Sequence, residues 1–269
     1  MPESASLWKL RAASLERARK SLKRGDPEGL HDLRVALRRL SATASALGKK
    51  RLARKSRAMA RTLSPQRQLE VDRQLLARVG RLGLLSPDAV TALAARWEKL
   101  ADRGERGVAR AADGRAIHGL VRRAGRLDRR KRAAAPERVA IARRRAEADV
   151  AHPLEGGNDH ALHRYRRAIK RARYLAEDLA ALGLRQFKTA AERERAVQEG
   201  FGRWNDLRMF CRRLDDSRRD AEERGSVSLA SELARLLAAL EPTVAAVRAA
   251  AVEASRRTAS VTPIALRSA

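Results

Sequence analysis

The chain has 269 residues, of which 60 are lysine or arginine and 32 are aspartate or glutamate, giving a formal charge of +28. Internal ion pairs cannot neutralise so large a surplus, so most of it must face water, counterions or an acidic partner. The single cysteine, Cys211, excludes an intrachain disulfide, and no run of eighteen apolar residues offers a membrane span.

The composition is typical of a chain of packed helices. Aromatic residues make up 3% of it, and strand-forming side chains are scarce beside alanine, leucine and arginine. We therefore expect an all-α protein with almost no sheet. The N-terminal segment lacks the apolar core of a signal peptide, and with one cysteine, which we expect to be buried beside Phe210, this favours a cytoplasmic protein.

Helix-breaking stretches divide the chain into amphipathic segments. They fall at 23–29, 83–88, 133–137, 152–159 and 224–226, which predicts eight to ten helices. Pro87 and Pro136 are each followed by an acid, a pattern typical of a first helical turn. Residues 256–269 lack helical periodicity, so we expect a loose tail there.

Two motifs occur twice and in the same order. "HDLRVALRRL" (31–40) aligns with "HRYRRAIKRARYL" (163–175) at an offset of 132 residues. Further along, "LSPQRQLEVDRQLL" (63–76) aligns with "FGRWNDLRMFCRRL" (201–214). The repetition indicates a duplicated helical unit within one domain spanning 1–269, with halves at about 7–132 and about 136–255 that meet near "HPLEGGND".

The first pair of motifs places basic and apolar side chains on opposite helix faces. At about 100° per residue, His31, Arg34 and Arg38 share one face, and Leu33, Leu37 and Leu40 share the other. In the second copy the basic stripe comprises His163, Arg166, Lys170 and Arg173, flanked by Arg167 and Tyr174, opposite Tyr165, Ile169 and Ala172.

Each stripe offers cations at intervals of about 5.4 Å, one per turn, which suits a row of phosphate groups. The nearest acids along the two segments, Asp32 and Glu177, are too few to neutralise them. A basic helix face is often merely solvated, but the recurrence of the same positions in both segments favours two walls of one binding site.

At these residues the chain resembles the CHAD family, the conserved histidine α-helical domain. "HDLRVALRR" and "HRYRRAIKRARYL" are similar to its paired H-x-x-R-x-x-x-[KR]-[RK] helices, and "LSPQRQLEVD" and "FGRWNDLRMF" to its later paired element. The resemblance covers about residues 7–255. It implies an all-α bundle of two pseudo-symmetric four-helix halves around a basic central channel that binds inorganic polyphosphate.

Motif matching carries the family's ligand-contacting role onto nine positions of this chain. Arg167 stands where the first copy has Val35, so its inclusion rests on charge alone. Two departures weaken the first half: Ser41 stands where the family often has another arginine, and Gln68 stands where the second half has an acid, Asp206, expected to orient an arginine or cap a helix. The nine are His31, Arg34, Arg38, Arg39, His163, Arg166, Lys170, Arg171 and Arg173.

We expect a binding protein that is not an enzyme and needs no metal or cofactor. His160 and His163 have a spacing that could hold a metal, but no cysteine or second acid completes the ligand set. A carboxylate cluster and a phosphate-cradling glycine loop are both missing from the sequence. If the stripe histidines bind polyphosphate as cations, binding should weaken as the pH rises through neutrality.

The alternative is a nucleic-acid-binding helical protein, because a charge of +28 also attracts DNA and RNA at low salt. The sequence shows no known nucleic-acid-binding pattern and has few aromatic side chains to stack on bases. The resemblance also implies association with polyphosphate or polyhydroxyalkanoate granules in some cases, and the sequence leaves that and the oligomeric state open.

Overall fold

The computed structural model describes residues 7–112, 114–127, 135–151 and 158–260, and all regular structure in these ranges is α-helical, which confirms the predicted fold class. The number of helices also agrees with the prediction. They are α1 (Leu7–Lys23), α2 (Gly29–Ala46), α3 (Lys50–Thr62), α4 (Ser64–Arg81), α5 (Pro87–Ala112), α6 (Arg115–Arg126), α7 (Ala135–Ala151), α8 (Asp159–Ala181), α9 (Gln186–Glu223) and α10 (Val227–Ser260).

Local sequence explains where several helices begin and end. Helix α5 starts at Pro87 and α7 carries Pro136 in its first turn, both as predicted. The Asn158 side chain caps α8 by accepting a hydrogen bond from the Ala161 amide at 3.0 Å. Gly48 ends α2 with a φ of +73°, a conformation that suits glycine and turns the chain into α3.

The chain divides into two compact units that differ from the predicted sequence halves. Unit 1 comprises 1–64, 107–198 and 258–269, and unit 2 comprises 65–106 and 199–257. Both units therefore draw on both repeats, and helices α5, α9 and α10 contribute residues to each. The pseudo-symmetric halves and the central channel stay predictions.

Helix α2 lies at the centre of unit 1. It packs against α1, α3, α7 and α8, while α6 packs against α1 and α3. The leucines of its apolar face are fully buried, as the periodicity predicts, and they share one core with Leu15 and Leu175. Burial of aliphatic side chains such as these stabilises the fold by about 1.5–3 kcal/mol each. The leucines of this face named by the prediction are Leu33, Leu37 and Leu40.

Unit 2 has an aromatic core. The Trp97 and Phe210 rings meet edge to face at 6.0 Å between centroids, and the Trp97 indole donates to the Ser217 hydroxyl at 3.3 Å. Cys211, next to Phe210, is half-buried, and its burial raises the pKa of the thiol. No helix among the described residues is long and apolar enough to span a membrane.

Some predictions fall on the edges of the described ranges. The expected loose tail, 256–269, overlaps α10, which continues to Ser260, and the rest of it lies outside the described residues. Most of the expected boundary "HPLEGGND", residues 152–157, also lies outside them.

Candidate polyanion-binding site

The first basic stripe lies on α2, with the orientation that the sequence predicts. His31, Arg34 and Arg38 are partly exposed, whereas the leucines on the opposite face are fully buried. The Arg34 guanidinium donates to the Ser64 hydroxyl at 3.3 Å, and that hydroxyl donates to the Ala60 carbonyl at 2.8 Å. This contact fixes Arg34 beside the junction between α3 and α4.

The second basic stripe lies on α8. Arg166 and Lys170 are partly exposed and His163 is exposed, whereas Tyr165, Ile169 and Ala172 on the opposite face are buried, as predicted. Arg167 and Arg171 lie on the exposed edge of the same helix. Arg171 extends towards α7 and pairs with Asp149 at 3.5 Å, and both side chains are more than half exposed.

Helices α2 and α8 meet at a carboxylate that contacts two of the predicted site residues. Glu177 accepts two hydrogen bonds from the Arg39 guanidinium, at 2.8 and 3.0 Å, and lies 3.6 Å from the Arg173 guanidinium. Both guanidinium groups lie over the Tyr174 ring, at 5.9 and 4.8 Å from its centroid. An anion that binds either arginine must therefore compete with Glu177.

Arg173 differs from the other stripe residues because it is buried, with a residual exposure of 6%. The stripe geometry places it on the basic face, but α8 enters the core at this turn, where Tyr174 and Leu175 are buried as well. Arg173 therefore contacts Glu177 and Tyr174 from the buried side of α8. Arg38 and Lys170, in contrast, remain partly exposed to solvent.

A buried polar network fixes the crossing of α2 and α8. The Asp178 carboxylate accepts hydrogen bonds from the Arg11 guanidinium of α1, with an Nε–O distance of 3.0 Å, and from the Thr43 hydroxyl at 2.7 Å. Burial raises the pKa of Asp178, although Arg11 and Thr43 act in the opposite direction. Sequence analysis did not single out these residues. All three lie among the buried residues of α1, α2 and α8, and a polar residue on an apolar helix face is the sequence signal that could have indicated a buried polar contact.

A second buried network connects α8 to α7 and α9. The Arg143 guanidinium donates to the Ala172 carbonyl at 2.9 Å and to the Glu194 carboxylate at 2.9 and 3.1 Å, and it lies 5.4 Å from the centroid of the Phe187 ring. Burial raises the pKa of Glu194 against the influence of Arg143. The buried side of α8 is thus bound to Arg143 of α7, which in turn pairs with Glu194 of α9.

The later pair of motifs contributes Leu69, Leu76, Phe210 and Leu214 to the core of unit 2. Trp204 and Phe210 are buried, and Asp206 is partly buried in the middle of α9, so it cannot cap that helix. Gln68, which stands at the position of Asp206 in the first half, donates its side-chain amide to Asp72 at 3.0 Å. Asp72 is the buried carboxylate of α4, and it also accepts a hydrogen bond from Arg213.

The whole fold is similar to solved structures. One is the crystal structure of the CHAD domain from the plant Ricinus communis, with a TM-score of 0.68, 21% sequence identity, and coverage of 94% of this chain and 89% of that chain. Another is PptA from Streptomyces chartreusis, with a TM-score of 0.69, 19% identity, and coverage of 94% of this chain and 98% of that chain. A search of curated proteins returned no significant match.

At such identities the likeness shows the fold alone, whereas the match to a family model depends on the sequence itself. The model of the CHAD domain matches residues 6–215, which is more than half of the chain and includes both basic stripes and both later motifs. The chain therefore belongs to the CHAD domain family.

Proposed function

We propose that this protein binds inorganic polyphosphate through the basic stripes of α2 and α8. The observation that carries the proposal is that both stripes belong to one compact unit, in which α2 and α8 pack against each other. One acid, Glu177, contacts predicted site residues of both helices, Arg39 of α2 and Arg173 of α8. The site therefore has a large local excess of positive charge.

The chemistry of the ligand follows from that of the side chains. Arginine remains charged at all physiological pH values and binds phosphate oxygens through two parallel N–H groups, so a row of arginines favours a ligand with a phosphate at every step. Binding would release condensed counterions, and the affinity would fall steeply as the salt concentration rises. Chain length would matter more than any other property of such a ligand.

We propose a binding role without catalysis. The contacts described at the stripes are those of cations with Glu177, Asp149, Ser64 and the Tyr174 ring, and the deeply buried carboxylates, Asp178 and Glu194, each contact a buried arginine. Such an arrangement supports holding a polyanion. Incubation with polyphosphate should leave its chain length unchanged on a gel, and progressive shortening would contradict this proposal.

We further propose that polyphosphate binding places the protein at polyphosphate granules in the cytoplasm. A polyhydroxyalkanoate granule would require an apolar surface, and the large exposed apolar side chains of unit 2, among the described residues, are Leu82, Leu84, Leu100 and Val227. A fluorescent fusion should form foci that disappear in cells unable to make polyphosphate. Foci that persist there would contradict the proposal.

The direct test is the affinity for fluorescently labelled long-chain polyphosphate. Replacing Arg38 and Lys170 by alanine removes one partly exposed cation from each stripe, and should lower the affinity about 100-fold, or about 1.4 kcal/mol for each lost contact. A matched control replaces Arg17 and Lys20, which are exposed on α1, by alanine. Equal losses in the two double variants would contradict the proposed site.

A further inference from the structure

Helix α3 lies in a long segment of the chain that has no acidic residue. Residues 33–69 contain no aspartate or glutamate, whereas they contain eleven lysines and arginines. Six of these cations belong to α3 itself, and all six lie outside the motifs that define the candidate site. Helix α3 has therefore no acid of its own to neutralise it.

The cations of α3 form a straight row. Lys50, Arg54, Arg57 and Arg61 follow one another at intervals of four, three and four residues, which places them on one side of the helix. All four are exposed, and the opposite side, which includes Leu52 and Ala60, is buried in the core of unit 1. At about 1.5 Å per residue the row extends over about 16 Å. We call these four residues the α3 row.

The α3 row lacks the ion pairs that several other exposed arginines make. Elsewhere, Arg219 pairs with Asp215 at 2.8 Å and Arg257 pairs with Glu253 at 3.1 Å, each pair within one helix. Among the described residues, no carboxylate lies within ion-pair distance of the α3 row. Like charges three and four residues apart also destabilise a helix, so the sequence retains an arrangement that is unfavourable for α3 alone.

The end of the α3 row adjoins the basic stripe of α2. Arg34 donates to the Ser64 hydroxyl, which in turn donates to Ala60, the residue before Arg61. The stripe of α2 and the last turn of α3 are therefore joined through a single serine side chain. The Arg34 guanidinium therefore lies beside the last turn of α3, to which Arg61 belongs.

We propose that the α3 row is an outer track for the same ligand. This inference rests on the proposed function: a long polyphosphate chain held at α2 passes Ser64 and continues along Arg61, Arg57, Arg54 and Lys50. A short chain occupies the stripes alone. Polyphosphate suits the track better than nucleic acid, because α3 contains no aromatic side chain on which a base could stack.

The test compares two triple variants that lose the same charge. The track variant carries Arg54→Gln, Arg57→Gln and Arg61→Gln, and glutamine preserves the helix propensity of these exposed positions. The control variant carries Arg17→Gln, Lys20→Gln and Lys23→Gln on the exposed side of α1, which packs against α2 and α6. Thermal unfolding checks that both variants are folded.

The track variant should bind tripolyphosphate like the wild type and long-chain polyphosphate about tenfold more weakly. Its plot of log affinity against log salt concentration for the long chain should be shallower by about 2, since three charges are lost. If both variants lose the same long-chain affinity, net charge explains the effect and the track does not exist. If the track variant loses its affinity for duplex DNA but retains its affinity for long-chain polyphosphate, the α3 row binds nucleic acid instead.

The same experiment separates this inference from the proposed function. A wild-type protein that binds neither tripolyphosphate nor long-chain polyphosphate would overturn both. A wild-type protein that binds both, with a track variant indistinguishable from the control, would overturn the track and leave the proposed function standing.

Discussion

At the scale of single residues, unit 1 is held by charges that are buried together with their partners. Arg11 and Asp178 are both nearly inaccessible to solvent, and so are Arg143 and Glu194. Burying a charge away from water costs free energy, which its partner offsets. Replacing only one of the two partners leaves the other charge buried without compensation. These residues should therefore matter for folding far more than the surface pairs do.

Replacing Asp178 by alanine should lower the free energy of unfolding by about 3–5 kcal/mol, because the Arg11 guanidinium stays buried without its carboxylate. Denaturation in urea measures the change. The control is Asp215→Ala, which removes a partly exposed carboxylate paired with Arg218 and should cost about 1 kcal/mol or less. Equal costs for the two variants would contradict a structural role for the buried pair.

The pH dependence of stability should identify the buried carboxyl of unit 2. Burial raises the pKa of Asp72 above its ordinary value of 3.8, in spite of Gln68 and Arg213. The folded state then keeps a proton that the unfolded state has lost, so the contribution of Asp72 to stability falls as the pH rises from about 3.8 to the raised pKa.

The free energy of unfolding of the wild type minus that of Asp72→Asn should therefore decrease over this pH range and be constant above it. Asp215 is the opposite control, since Arg218 lowers the pKa of its carboxyl, and its contribution is lost as the pH falls. Urea denaturation at a series of pH values measures both differences. An increase with pH for Asp72→Asn would contradict the raised pKa.

At the scale of helices, periodicity predicted which faces of α2 and α8 are apolar, and the buried Leu37 and Ile169 agree with it. It could not predict that Arg39 would meet Glu177, because the two residues are 138 positions apart and only the packing of α2 on α8 joins them. The burial of Arg173 also depends on that packing. Angular position on one helix cannot distinguish a solvated face from a helix-helix contact.

Glu177 should oppose ligand binding, because it already binds Arg39 and contacts Arg173. Replacing it by glutamine should raise the affinity for long-chain polyphosphate about fivefold, or about 1 kcal/mol. Glu222→Gln removes the same charge from an exposed residue that pairs with Arg218, and serves as the control in the same binding assay. If both variants gain equally, or if Glu177→Gln binds more weakly, Glu177 is not a competitor of the ligand.

At the scale of the whole molecule, the repeated motifs predicted the family, but not the compact units. The first pair of motifs belongs to unit 1, and nearly all of the second pair belongs to unit 2. Sequence repetition indicates which segments of the chain resemble each other, whereas the compact units depend on which helices pack together. The pair of the buried Asp72 with the partly exposed Arg213 was missed for the same reason, since the two residues lie on different helices 141 residues apart.

Competition between polyanions tests the central claim most directly. Labelled long-chain polyphosphate, bound at physiological ionic strength, is displaced by unlabelled polyphosphate, tripolyphosphate, orthophosphate or duplex DNA at equal phosphate concentration, for the wild type and for the Arg38→Ala, Lys170→Ala double variant. We expect long polyphosphate to compete far better than DNA, and the double variant to lose this preference. Equal competition by DNA, with an unchanged double variant, would show a generally basic surface without a polyphosphate site.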